Sequence, residues 1–287
     1  MTGTMTAAYL APLLTAGAVF VGVFGLLIGS FLNVVVYRVP NGLSVVNPPS
    51  ACPGCGEGIR PYDNVPVLSW LVLGGKCRSC REPISARYPL VELAGGVAFV
   101  GVAWWWSIST GLPETTIGLI ASGLALVAFL YLAAISLALG LIDLDVHRLP
   151  DRIVLPAYVV LTVLLGTASI IAGDPGALGR AAVGGGALAA FYLVLALVKP
   201  GAMGLGDVKL AGVLGFALAW LGWEQLVVGA FGAFLTGGLF AVVLLVTGRA
   251  RRGSGIPFGP WMLVGAWIGI VAGAPLANLY LSSLGLA

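Results

Sequence analysis

Two aspartates occupy positions where a membrane edge and acid–base chemistry coincide. Asp143 lies in the run Leu141-Ile142-Asp143-Leu144-Asp145-Val146-His147-Arg148-Leu149-Pro150-Asp151, and Asp207 in Met203-Gly204-Leu205-Gly206-Asp207-Val208-Lys209-Leu210. Each borders a long apolar stretch, where an ionisable side chain is expensive to keep and is read first as functional. Two carboxyl groups held close together cannot both ionise easily, so such a pair shares one proton. The ionised member can accept a proton from water as that water attacks a peptide carbonyl. The protonated member can donate to the oxyanion or to the departing amine. No serine, cysteine or histidine is required. Gly204 and Gly206 lack Cβ atoms, which would let an extended substrate backbone approach Asp207 and would permit positive φ.

The remaining ionisable and polar residues near the apolar runs have simpler expectations. Asp151, directly after Pro150, reads as the N-cap of the helix that follows. Asp145 is two positions from Asp143, so on a helix it points elsewhere. His147, the single histidine, reads as a solvated end-of-helix residue. Glu92 is expected to pair with an arginine such as Arg87, and Asn33 to find a partner on a neighbouring helix. Trp104, Trp105, Trp106, Trp220 and Trp223 fall near the ends of apolar runs, as an interfacial belt would.

A second kind of chemistry belongs to sulfur. Cys52-Pro53-Gly54-Cys55 and Cys77-Arg78-Ser79-Cys80 are two C-x-x-C knuckles with 21 residues between them, close to the spacing of a four-thiolate zinc ribbon. Four sulfurs around one tetrahedral ion close the site, so Cys52, Cys55, Cys77 and Cys80 are expected to hold a structural zinc ion and not to catalyse. The competing reading is two disulfides or a redox pair, which would suit an oxidising compartment.

Both sets must be positioned by a membrane protein. The chain has 287 residues, of which 59% are hydrophobic and 9% charged, against about 25% charged in soluble domains, so it cannot cover a globular surface with polar side chains. A net charge of +3 from 14 Lys and Arg is too sparse for a nucleic-acid groove and excludes that partner. Long uncharged runs mark eight spans: roughly 8–37, 89–108, 117–142, 153–172, 181–198, 208–223, 226–247 and 261–284. The sixth is short and carries Lys209. Lys and Arg accumulate on the cytoplasmic side of such proteins. Thirteen of the 14 cations, including Arg249, Arg251 and Arg252, fall on one face, with Arg180 alone on the other. That face is therefore the cytoplasmic one, and it holds the cysteines and both aspartates. No Lys or Arg precedes Arg38, so the first run reads as a permanent helix and not a cleavable signal. The expected organisation is an all-α polytopic membrane protein of about eight transmembrane helices with a small cytoplasmic zinc-ribbon-like loop: residues 1–38 the first helix, 39–88 the cysteine-tetrad domain, and 89–287 the membrane domain bearing the acid pair.

The order of motifs resembles the type IV prepilin leader peptidase family. The resemblance rests on the run from Gly29 to Arg38, the tetrad enclosing Asp63 to Trp70, and Arg87 to Glu92. It continues through Asp143 and Leu149-Pro150-Asp151, Gly204 to Lys209, and Ile256-Pro257-Phe258-Gly259-Pro260. It implies an intramembrane aspartyl protease of the GxGD class in the bacterial inner membrane, with Asp143 and Asp207 as the catalytic pair. Its substrates would be prepilins or pseudopilins, cut after a glycine at the cytoplasmic face. Many members then methylate the new amino terminus with S-adenosylmethionine; this chain is shorter than the longer members between Pro40 and Cys52. The alternative from another class is an ion-coupled transporter using Asp143 and Asp207 as a proton relay, which would be expected to show two similar halves.

Overall fold

The computed structural model describes residues 2–111, 113–199, 203–248 and 257–285. Among them lie nine α-helices: α1 Thr2–Arg38, α2 Leu68–Val72, α3 Arg87–Thr110, α4 Thr116–Val146, α5 Asp151–Ala172, α6 Pro175–Val198, α7 Leu205–Leu221, α8 Trp223–Val246 and α9 Gly259–Ser283. The described residues contain no regular strand, only isolated bridges at Ala51–Gly58 and Lys76–Pro83. Arg249, Arg251, Arg252 and Ile256 lie outside the described residues.

Seven helices (α1, α3, α4, α5, α6, α8 and α9) are long and apolar enough to cross a membrane. All eight expected runs are helical, and the weak sixth is α7. Its 17 residues rise about 25 Å, short of the roughly 30 Å hydrocarbon core. Packing explains the tolerance for a short element. α7 lies against α5, α6, α8 and α9 and buries residues on every side, from Leu210 through Ala219. A helix that is apolar all round and enclosed by protein has no bilayer thickness to match.

The chain forms two compact units, one of Met1–Leu112 with Phe129–Ala138, the other of Pro113–Ala128 with Leu139–Ala287. In the first, α1 packs on α3 through small residues: a Cβ on Gly29 would lie 2.7 Å from the Glu92 Cα. Asn33 Nδ2 donates to the Tyr88 carbonyl at 3.1 Å, which supplies the expected partner. Trp105 and Trp106 do not join a belt; both are buried against Phe129, with ring centroids 5.5 and 5.6 Å away. Trp104 and Trp223 remain exposed.

In the second unit, α6 pairs with α7 and α8 with α9. A Cβ on Gly215 would come 2.7 Å from the Gly184 carbonyl, and one on Gly269 the same distance from the Gly229 Cα. Lipid offers no hydrophobic drive for helix association, so such backbone-to-backbone packing supplies the attraction instead. The far end of α7 is closed by Arg180 of α6, whose Nε and Nη2 donate to the Ala219 and Trp220 carbonyls at 2.9 and 3.0 Å. Those carbonyls are the ones a helix terminus leaves without partners. Trp220 Nε1 in turn donates to Ser169 Oγ at 2.7 Å.

Candidate functional site

α4 continues past Asp143 to Val146, so this aspartate sits inside the last helical turn and not at its end. His147 stops the helix: it adopts the left-handed region at φ 52°, and its N–H bonds back to the Asp143 carbonyl at 2.9 Å. The Asp143 side chain is buried, 5% exposed, and its Oδ2 accepts the Gly259 N–H at 3.0 Å. Gly259 is the first residue of α9. Its N–H is one of the donors a helix start cannot satisfy internally, and it points where the helix dipole favours negative charge. Glycine is needed there, because a Cβ would lie 2.6 Å from Asp143 Oδ2.

Asp207 is the third residue of α7. Its Oδ2 accepts the Gly204 N–H at 2.9 Å, while its own N–H donates to the Gly204 carbonyl at 3.1 Å. The aspartate thus takes the acid's part in a capping turn. That turn runs through Gly204 at φ −83°, so the positive φ that glycine would permit is not used. Gly204 is exposed, whereas Gly206 lies within α7 and packs on the α4–α5 link: a Cβ there would be 3.0 Å from the Leu149 Cβ. Leu149 Cδ2 also lies 3.3 Å from where a Gly259 Cβ would be. One leucine therefore bridges the neighbour of Asp207 and the donor to Asp143. Beside them, buried Tyr192 packs at a 42° tilt against Phe234 and Phe258, with centroid distances of 5.6 and 6.2 Å.

Asp151 does not cap α5. Pro150 holds the N-cap position, and both Asp151 oxygens instead receive Lys209 Nζ at 2.8 Å. The cation two residues beyond Asp207 competes successfully for a carboxylate that a backbone N–H would otherwise take.

In the first unit, the four cysteines meet at the ends of two matching turns. The Cys52 N–H bonds to the Glu57 carbonyl at 2.9 Å and the Cys77 N–H to that of Glu82 at 2.8 Å. Gly56 and Arg81, at equivalent places, donate back to Cys52 and Cys77 and take left-handed φ values of 71° and 64°. All four Sγ atoms lie within 4.8 Å of one another, with Cys52 and Cys80 at 3.7 Å and no disulfide formed. A tetrahedron with about 2.3 Å metal–sulfur bonds has sulfur–sulfur edges of about 3.8 Å, so the cluster fits one metal ion. Its electrostatics call for a cation. The backbone N–H groups of Cys80 and Ser79 lower the Cys77 thiol to about 7. The Glu82 backbone also favours the Cys80 thiolate, yet desolvation and the three neighbouring sulfurs push that thiol up to about 12. Four thiolates cannot coexist so closely without a positive charge among them.

The loop around the cluster is tied to α3. Glu92 Oε2 accepts the Val67 N–H at 2.7 Å. It thereby holds a non-glycine residue at φ 62° immediately before α2. Arg78 forks onto Asp63, with Nε to Oδ2 at 2.8 Å, and this guanidinium keeps the Asp63 carboxyl below the usual carboxylate range.

Residues 23–106 match the bacterial peptidase A24 N-terminal domain, and residues 130–242 match the type IV leader peptidase family. A prepilin leader peptidase/N-methyltransferase of Pseudomonas aeruginosa is 36% identical, over 91% of this chain and 92% of the relative. The chain belongs to the type IV leader peptidase family. Relatives with the same printed name occur in Aeromonas hydrophila, 34% identical over 91% of this chain and 92% of theirs, and in Burkholderia pseudomallei, 37% identical over 89% and 85%. No solved structure matches. In this leader peptidase family member the first matched segment contains the cysteine cluster and the second contains both aspartates. The proton-relay alternative finds no support: these relatives are named as peptidases. The chain is a multi-pass membrane protein by family and by its seven apolar helices.

Sequence reasoning left Gly259 without a role and missed Leu149, Tyr158 and the Lys209–Asp151 pair. Lys209 gave the usable signal, since a cation in an apolar helix must have a partner. Nothing local to Gly259 or Leu149 announces that helices far apart in sequence bring them together.

Proposed function

We propose that the chain is an aspartyl endopeptidase that removes the basic leader of type IV prepilins or pseudopilins at the cytoplasmic face of the bacterial inner membrane, with Asp143 and Asp207 as its acid pair. The observation that carries the reading is the seating of Asp143: a buried carboxylate aimed by the Gly259 N–H, in the same packed unit as Asp207. One carboxylate removes a proton from water while the oxygen bonds to the scissile carbonyl carbon, and the other carboxyl protonates the carbonyl oxygen. Collapse of the adduct breaks the C–N bond, and the amine leaves with a proton from the pair. Exposed Gly204 offers the substrate backbone an approach beside Asp207, with Gly206 as the packed residue that fixes the turn.

In this reading residues 39–88 form a cytoplasmic domain in which Cys52, Cys55, Cys77 and Cys80 hold a structural zinc ion, whose chemistry is to neutralise the thiolates and lock the two turns. The relatives' name also carries an N-methyltransferase activity, which would transfer a methyl group from S-adenosylmethionine to the new amino terminus. In the loop the Arg78 fork is taken up by Asp63, and no step of the methyl transfer is assigned to a residue. The test is cleavage of a prepilin peptide by detergent-solubilised protein, compared with Asp143→Asn and Asp207→Asn. Abolished cleavage in both is expected; full cleavage in either removes that residue from the pair.

A further inference from the structure

The acid pair needs two helices held at a fixed offset, and the structure shows a device built on the face opposite the chemistry. Residues two apart on a helix do not face the same way, so the Lys209 ammonium is turned from Asp207 and is committed to Asp151 by two 2.8 Å bonds. The Lys209 carbonyl is held as well, accepting the Tyr158 hydroxyl at 2.6 Å. Asp151 and Tyr158 are seven residues apart, two turns along one face of α5. That single face therefore grips one residue of α7 by side chain and by backbone. The fit is close: the Tyr158 hydroxyl occupies the space a Cβ on Gly212 would need.

The grip bears on both carboxylates. Asp151 begins α5, and the link before it contains Leu149, wedged against the Gly206 Cα and beside Gly259. Gly206 precedes Asp207, and Gly259 donates to Asp143. A shift of α5 along α7 would move Leu149 and so alter the placement of both acids. We propose that Lys209, Asp151 and Tyr158 are positioning residues that set the separation of Asp143 and Asp207, without touching substrate. This rests on the assignment of those two aspartates as the acid pair. A misplacement on the order of 1 Å in a reacting constellation lowers rate by roughly 100-fold, so the effect should fall on turnover and not on substrate binding.

The experiment is steady-state cleavage of a prepilin peptide by full-length protein in detergent. It compares Lys209→Met, Asp151→Asn, their double variant, Lys209→Arg, Tyr158→Phe and Asp207→Asn, each checked for wild-type thermal melting. Lys209→Met and Asp151→Asn are expected to lower kcat roughly 10- to 100-fold with KM within about twofold. The double variant should be no worse than the worse single, as coupled partners require. Lys209→Arg should recover most of the turnover, and Tyr158→Phe should lower kcat a few-fold. Additive losses, a defect confined to KM, or wild-type kcat in both single variants would overturn the proposal. If a charge variant melts early, Tyr158→Phe decides: unchanged kcat overturns the grip. Asp207→Asn separates the two readings. Inactive Asp207→Asn beside fully active Lys209 and Asp151 variants sinks only the positioning role, whereas an active Asp207→Asn removes the acid pair itself.

Discussion

The cysteine cluster and the aspartate pair are built on opposite plans. The cluster is made from two short turns of continuous chain, each closing its own backbone hydrogen bonds at the surface. The acid site is drawn from α4, α7 and the first residue of α9, and it exists only while those helices are packed. A site built of local turns can lose its ion and still be near its partners in sequence. A site assembled by packing has no such reserve, and a single methyl group in the wrong place disturbs it.

The largest effect expected from this contrast is in cleavage. Asp143→Asn and Asp207→Asn should each lower the rate by at least about 100-fold, the usual scale of acid–base catalysis, while metal content by elemental analysis stays at the wild-type level. Equal loss of metal and cleavage would erase the distinction between the sites.

Next comes Gly259→Ala. A hydrogen bond to a charged group contributes about 1.5–3 kcal/mol, so displacing Asp143 from this N–H should slow cleavage roughly 10- to 100-fold. Gly238→Ala is the control, because nothing lies within 4 Å of a Cβ there, and it should cleave at the wild-type rate.

Metal removal sharpens the comparison from the other side. Chelation should make residues 39–88 sensitive to protease while the apolar helices stay protected. Zinc affinity, measured by competition with a chromophoric chelator, should fall as pH drops from about 8 to 6, since binding must displace thiol protons. Cys77, lowered to about 7, begins to take up its proton in that range, and Cys80, at about 12, must surrender one at every pH tested. A pH-independent affinity would argue against thiolate ligation.

The smallest effect belongs to Asp63→Asn. The Asp63 carboxyl is held below its ordinary value by Arg78. Its support for the loop is therefore fully present above about 3.9, the free carboxyl value, and fades as pH falls through the lower folded value. Proteolysis of the loop should be slightly faster in the variant at neutral pH, and the two proteins should converge in acid. A difference that persisted in acid would point to lost packing instead.

What could be read from the sequence follows the same division. Rare residues at fixed spacing, the four cysteines and the two boundary aspartates, stand out against an apolar background, and helix existence follows from hydropathy. Contacts that arise from packing do not. Leu149 is one leucine among many, and only the approach of α7 and α9 gives it a place. Asp151 looked like a cap because its local context offers a helix start. Lys209, distant in sequence, supplied a stronger partner. Nothing in the sequence around Glu92 announces that its carboxylate takes the N–H of Val67, a left-handed valine 25 residues earlier. Trp105 and Trp106 sat near a helix end, but the proximity of Phe129 decided their burial.

α7 is fastened twice: at its start by Asp151 and Tyr158 of α5, and at its finish by Arg180 of α6. Under the proposed protease reading, these two fastenings would leave adjustment to an incoming substrate to α4 and α9, the helices that carry Asp143 and its donor.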